Sequence, residues 1–280
     1  MERYSDFKQW KLLANRDQIN KVERLKDQLC IVGLSGGKDS VATCILLHWL
    51  EVPFKTVTAE VWWKNNISGE NPLHYDFIHD KLIKKLNSWG VHSDFIKSDI
   101  TAYEYMTTPI AYSKEHPERV GKLRGFPLCS KCGIQRDCKS GPCGRYYKSI
   151  EQPYTVVTGI ASDERERILS NYANHRVSVL EMLNIEEFDT FPICMENDLL
   201  SPVYRFSERG GCWFCPNQKI TELFVLYWDF PWLWDELMKI QKMPNKAQEC
   251  FNRTQTLYDI EKEILNGVQM RFFTSDFIKT

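Results

Sequence analysis

Residues 31–50 read IVGLSGGKDSVATCILLHWL: an apolar run, then Ser35-Gly36-Gly37-Lys38-Asp39-Ser40, then a second apolar run. The flanks decide the architecture. The segment QLCIVGLS from Gln28 has the composition of a strand, and DSVATCILLHWLE from Asp39 reads as a helix that Pro53 stops. A strand that turns through glycines into a helix points successive backbone N–H groups, and the positive end of the helix dipole, at one place. That place suits a phosphate.

Outward from this unit the pattern repeats. KTVTAEVWW predicts a second strand, Leu73 to Trp89 a helix, SDFIKSD a third strand, and YTVVTGIASDERERILSNY (Tyr154 to Tyr172) a further strand, small-residue turn and charged helix. Strands alternating with helices imply an α/β fold with a parallel sheet. Trp10, Leu13, Ile19, Val22 and Leu25 recur at helical spacing, which makes residues 1–27 an N-terminal helical segment. Between Ile100 and Ile150 the periodicity fails, and proline, glycine, cysteine and basic residues collect. The expected organisation is a nucleotide-binding α/β domain over 28–180 with a cysteine-rich insertion at 120–145, then a metal-binding and helical region over 181–280.

Composition limits the partners. With 280 residues, 43% of them hydrophobic, and a net charge of -1, the chain can bury one large core or a core plus a subdomain, and any anion binding must come from local patches. The first 28 residues are charged throughout and lack the apolar stretch of a signal peptide, and no run reaches the roughly 18 residues of a membrane span. A cytoplasmic protein without a membrane partner is expected. In a reducing compartment the ten cysteines read as metal ligands, catalytic thiols or core residues rather than disulfides.

The glycine turn is not a Walker A loop, because only three residues separate Gly33 from Gly37 and Asp39 follows Lys38; nor does it have G-x-G-x-x-G spacing. Position for position, Ser35 to Ser40 resembles the SGGxDS pyrophosphate loop of the N-type ATP pyrophosphatases and their relatives, the sulfonucleotide (PAPS) reductases. The resemblance implies an adenine nucleotide α-hydrolase-like fold whose loop wraps the β,γ-pyrophosphate of ATP while an acceptor attacks the α-phosphorus. It implies that Ser35, Gly36, Gly37, Lys38, Asp39 and Ser40 bind the nucleotide, with Lys38 serving the leaving group and Asp39 holding Mg2+. The segment Gly159-Ile160-Ala161-Ser162-Asp163-Glu164-Arg165 resembles the GIRADE-like stretch of the same family, with Ala161 where an arginine is expected. By that likeness Asp163 or Glu164 assists Mg2+ or positions the acceptor, and Arg165 or Arg167 neutralises phosphate charge. A plain helix start would also favour these acids.

Cys129, Cys132, Cys138 and Cys143 fall in CSKCGIQRDCKSGPC, and Cys212 and Cys215 in GGCWFCPNQ. Two C-x-x-C pairs can grip one metal, and a zinc ion or a four-iron cluster needs four of these six thiols. CGIQRDCKSGP, RYYKSI and LLSPVYRFSERGGCWFCPN resemble segments of a PAPS-reductase-like group of bacterial and phage proteins related to the sulfur-transfer proteins of DNA phosphorothioation. The likeness implies Cys132, Cys138, Cys212 and Cys215 as ligands of a [4Fe-4S] cluster, with Zn2+ as the alternative and Cys129 and Cys143 as spares. Cys30 and Cys44 read as core residues. Cys194 reads as a buried bystander in preference to a sulfur carrier.

Lys122, Arg124, Lys131, Arg136, Lys139, Arg145 and Lys148 face a single acid, Asp137, across 122–148, a local excess that suits a nucleic-acid backbone or a second nucleotide phosphate. Trp228, Trp232 and Trp234 suit a core better than base stacking. The expected function is an ATP pyrophosphatase-type enzyme that adenylates an acceptor, within sulfur transfer to a nucleic acid or small molecule from a sulfur-donor protein. The alternatives are a PAPS or APS reductase and a nucleotide-binding regulatory module with a structural metal. A reductase of this family needs a late cysteine in an ECGLH-like segment; the last one here, Cys250 in AQECFNRTQT, lacks the Gly-Leu-His.

Overall fold

The computed structural model describes residues 15–129 and 132–267. Trp10, Leu13, Lys131 and the residues after Gly267 lie outside them. The chain divides into two compact units. One comprises Met1–Ala59, Pro72–Ile96 and Cys143–Pro202, the other Glu60–Asn71, Lys97–Pro142 and Val203–Thr280.

The first unit is an α/β layer built on a five-stranded parallel sheet: β1 (Leu29–Gly33), β2 (Phe54–Glu60), β3 (Ser93–Lys97), β4 (Tyr154–Thr158) and β5 (Arg176–Ser178). Their order is β3-β2-β1-β4-β5. β1 is paired on both edges, with Cys30 opposite Phe54 and Thr155, and Val32 opposite Thr56 and Val157. Central pairing and cover on both faces explain why Cys30, Ile31 and Val32 are wholly buried, and hence the unbroken apolar run in the sequence. The helix Lys38–Trp49 that follows β1 is buried along most of its length, including Val41, Cys44, Ile45, Leu46 and Leu47. The strand order reverses between β1 and β4, and in open parallel sheets the crevice beyond the strand ends at such a reversal takes the ligand.

Four of the five strands and the helices Lys38–Trp49 and Arg165–Ala173 follow the sequence pattern. β5, three residues long, is too short to give one. The run KTVTAEVWW breaks after Glu60, and Trp62–Lys64 pairs antiparallel with Ile67–Ser68 in a separate two-stranded sheet. The helix expected from Leu73 is a run of three segments, Pro72–Asp76, a π-helical Phe77–Leu82 and Ile83–Ser88. The wider turn buries Phe77, Ile78 and Leu82 together.

The second unit has its own core around Trp63, Phe126, Trp213, Phe214 and Phe251, packed with the helices Ile220–Asp229, Pro231–Lys242 and Leu257–Asn266. Trp234 belongs to this core, whereas Trp228 and Trp232 are 40% and 50% exposed. The stretch without periodicity contains the helix Ala102–Thr107, started by a Thr101/Glu104 capping box, and the helical run Gln135–Ser140 and Gly141–Lys148. Leu123–Gly125 pairs in parallel with Lys246–Gln248. Such a pairing groups Lys97–Pro142 with Val203–Thr280, a division that differs from the boundaries at 120–145 and 181 because distant pairings leave no local pattern. Among the described residues no helix is long and apolar enough to cross a membrane.

One buried carboxylate ties the second unit together. Glu236 accepts from Trp63 Nε1 at 2.8 Å, Lys64 Nζ at 2.5 Å and Lys239 Nζ at 2.5 Å. Burial alone would raise its pKa, but the bonds from Lys239, Lys64 and Trp63 outweigh it and hold the group at about 2, below its ordinary 4.5. A depressed carboxylate stabilises the fold above its unfolded pKa, and that contribution is lost as pH falls through the folded value. In urea titrations Glu236→Gln should lower stability near neutrality and remove part of the decline between pH 4.5 and about 2; an acid limb of unchanged slope would reject this role.

Candidate functional site

The loop after β1 is stapled by its own hydroxyls. Ser40 Oγ donates to Gly37 O at 2.9 Å and accepts from Ser35 N at 3.3 Å, while Ser35 Oγ accepts from Gly37 N at 3.3 Å. Gly36 adopts φ +74, and a Cβ there would lie 2.6 Å from Ile78 Cγ1, so only glycine fits. Gly37 caps the helix Lys38–Trp49 without a side chain, which leaves first-turn amides to a ligand. Behind the loop sits buried His74, its Nε2 3.1 Å from Ser35 O and its Nδ1 2.8 Å from Ser201 Oγ. A carbonyl only accepts, so Nε2 carries a proton and donates to Ser35 O.

Lys38 is 3% exposed, and its ammonium lies 2.7 Å from Asp39 Oδ1 and 2.9 Å from Glu187 Oε1. Burial would lower its pKa, but the two carboxylates outweigh burial and hold it above the ordinary lysine value. Asp39 Oδ1 also accepts from Thr190 Oγ1 at 2.9 Å, and Asp163 Oδ1 accepts from Glu187 N at 3.1 Å. A chain of contacts, Asp39 to Lys38 to Glu187 to Asp163, therefore joins the two motifs read from the sequence. Glu187 and Thr190 carried no motif and could not be found by spacing.

The second motif also touches the loop directly. A Cβ on Gly159 would lie 2.6 Å from both Asp39 C and Ser40 N, so this glycine is required by the close approach of two backbones. Glu164 turns away from the loop: its Oε2 accepts from Ala161 N at 3.1 Å and its Oε1 pairs with Arg167.

A cavity of about 400 Å3 opens at the ends of β1 and β4, with Ser35, Gly37, Asp39 and Ser40 in its wall. Another part of the wall is Arg167, Ser170, Asn171 and Asn174, one stripe along the helix Arg165–Ala173 and its cap, together with Arg176 at the start of β5. Of the residues named from sequence, Ser35, Gly37, Asp39, Ser40 and Arg167 line the cavity, whereas Gly36, Lys38, Asp163, Glu164 and Arg165 are not in its wall. The polar stripe was visible in RILSNYAN, but the same spacing describes any solvated helix face.

The six candidate thiols divide: five belong to the second unit, and Cys143 to the first. Cys212 interacts electrostatically with Cys215 and Cys132, and Cys215 and Cys138 each with Cys132. Cys132 Sγ accepts from Gln135 N at 3.4 Å, and Cys215 Sγ from Arg209 Nη2 at 3.4 Å. Cys129 reaches the same turn, its Sγ donating to Pro216 O at 3.8 Å and its carbonyl accepting from Asn217 at 2.8 Å. Cys138 is buried, with Sγ donating to Ile100 O at 3.6 Å. Burial pushes the Cys212 thiol up to about 12 against the opposing charge of Lys139, whose ammonium pairs with Glu70 at 2.9 Å. Sulfur donors with N–H and cationic neighbours fit a thiolate-bound metal in chemistry, although among the described residues no three His, Cys, Asp or Glu side chains are gathered as a metal shell. Cys30, Cys44 and Cys194 are buried, and burial raises each thiol. Cys194 Sγ donates to Lys38 O at 3.2 Å.

The basic residues between 122 and 148 are partly committed to internal partners. Arg136 forms a two-pronged pair with Asp137, Lys139 is held by Glu70, and Arg124 lies over the Tyr105 ring at 5.0 Å. No protein-family model and no curated protein matches this chain, so function is argued from the site.

Gly159→Ala should destabilise the protein by about 1–3 kcal/mol in chemical denaturation, because the new methyl meets backbone that cannot step aside. Gly144→Ala is the control: a Cβ there meets nothing within 4 Å, and the change should be neutral or stabilising. Equal stability of the two variants would reject the backbone contact.

Proposed function

We propose that the first unit binds Mg-ATP and transfers AMP to an acceptor with release of pyrophosphate, as the likeness to the N-type ATP pyrophosphatases implies. One observation carries the reading: the Ser35–Ser40 loop, which combines a helix N-terminus with two hydroxyls and a carboxylate, opens into a polar cavity at the reversal of the strand order. The acceptor's nucleophilic atom forms a bond to the α-phosphorus while the bond to the bridging oxygen of pyrophosphate breaks, and the electron pair leaves on pyrophosphate. Charge therefore grows on the leaving group. Loop amides and the Ser35 and Ser40 hydroxyls serve that charge. Asp39 supplies a carboxylate for Mg2+, and Lys38 would have to exchange Glu187 for a phosphate oxygen. Arg167 offsets further phosphate charge from the cavity wall.

Sulfur transfer fits the thiol-rich second unit, where Cys132, Cys212 and Cys215, with Cys138 or Cys129 as the fourth ligand, would hold a [4Fe-4S] cluster or a zinc ion. A cluster would supply inorganic sulfide or an open iron position to the acceptor, and a zinc ion would only hold the thiolates together. The acceptor on this reading is a small molecule or nucleic acid that receives sulfur after activation.

Lys38→Ala and Asp39→Ala should each lower ATP affinity or AMP-forming turnover at least tenfold, about 1.4 kcal/mol, read by isothermal titration and pyrophosphate release. Wild-type values for both would reject the reading. In anaerobically purified protein, Cys132→Ser, Cys212→Ser and Cys215→Ser should each reduce bound iron or zinc by at least half, measured by elemental analysis and visible absorbance. Comparison of Cys129→Ser with Cys138→Ser identifies the fourth ligand. Full metal content in the first three variants would remove the site.

A further inference from the structure

The cavity contains more polar recognition chemistry than a pyrophosphate loop requires. Asn171 is 6% exposed, yet its side-chain amide makes no hydrogen bond with any described residue and faces the cavity. Arg176 lines the same cavity and makes no ion pair or hydrogen bond through its guanidinium with any described residue. An amide that opens onto a cavity and has no protein partner leaves its hydrogen-bonding capacity to water or a ligand. Both side chains can donate to oxygen, and neither belongs to the loop.

The backbone explains how they come together. The helix Arg165–Ala173 ends at Asn174, His175 takes φ 54, and the chain reverses so that Arg176 begins β5 beside β4, opposite Val156. Ser170 and Asn174 flank Asn171 on the cavity side of the helix, which adds a hydroxyl and a second amide. We infer that Asn171 and Arg176 form a subsite for an oxyanion, phosphate or sulfate in chemistry, carried by the acceptor of the proposed adenylyl transfer. The inference rests on that reading for the acceptor's role but not for the anion chemistry. Arginine presents a planar fork of donors to such a group, and an amide within the same wall completes its coordination. Sharing one cavity with the loop places the acceptor's anion within the same chamber as the nucleotide phosphates, so like charges must be kept apart by the donors between them.

The test uses full-length protein, inorganic sulfate as probe and the non-cleavable α,β-methylene analogue of ATP. Equilibrium dialysis of radiolabelled sulfate at fixed ionic strength, with Mg2+ and saturating analogue, should show one bound sulfate per chain. Arg176→Ala and Asn171→Ala should each weaken it at least fivefold, with Arg176→Lys intermediate, while thermal melting confirms that the exposed Arg176 variants remain folded. Sulfate binding that is absent, or unchanged in the Arg176 variants, overturns the inference. Competition between sulfate and the analogue, with loss of analogue affinity in Arg176→Ala, also overturns it and assigns the arginine to the nucleotide's own phosphates. Failure of the analogue to bind at all counts against the adenylyl-transfer reading alone, because sulfate dialysis without nucleotide still decides whether the anion subsite exists.

Discussion

The contact between the backbone of Gly159 and that of Asp39 and Ser40 is the constraint from which the site follows. Parallel pairing of β1 with β4, with Val32 opposite Val157, brings the turns that leave both strands to the same end of the sheet. At 2.6 Å from a hypothetical Cβ there is no room for any side chain on the second turn. With the two backbones in contact, the hydroxyls of Ser35 and Ser40 lie 3.2 Å from each other within the loop, and His74 contacts the loop from the other side through Ser35 O. The shape of the loop therefore arises from packing, before any ligand contributes. Preorganisation of this kind is where electrostatic stabilisation draws most of its strength, because the donors need not reorient when charge develops.

Electrostatics add a second layer. An ammonium withdrawn from water needs paired charge to remain protonated, and Lys38 has it twice over, from Asp39 and Glu187. Glu187 is itself held by its backbone N–H on Asp163, so the cation links the segment after β1 to the segments after β4 and β5. A phosphate entering the loop would compete for Lys38 with carboxylates of like charge. The partly exposed Glu187 is the weaker competitor, since water screens its attraction more than that of Asp39. The arrangement allows the lysine to change partners without ever being left uncompensated in the interior.

Much of this was legible in the sequence because β1 and the helix after it are covered on nearly all sides, and continuous burial writes a continuous apolar run. The polar interruption between them then stands out. Gly159 was legible for the same reason, as a small residue ending an apolar strand. Glu187 and Thr190 were not, because each bonds a neighbour remote in sequence, and Asn171 and Arg176 were not, because they sit in segments whose local pattern is that of an ordinary polar surface. The second unit was hidden for a related cause: Trp63, Phe126, Trp213 and Phe251 come from segments scattered along the chain, and no window contains enough of them to show a period.

The thiols show how burial and charge can oppose each other within one cluster. Withdrawal from water favours the neutral thiol at Cys212, Cys215 and Cys138, so left to burial these sulfurs would be poor nucleophiles and poor ligands. Yet Lys139, paired with Glu70, also feels Cys212 and Cys215, and Arg209 donates to Cys215. One lysine shared with a carboxylate cannot neutralise several thiolates at once. A metal ion can, because it replaces each S–H proton with a bond stronger than the solvation that burial removed. Burial with partial compensation from Lys139 or Arg209 thus sets Cys212 and Cys215 apart from Cys30 and Cys44, whose shifts come from burial alone.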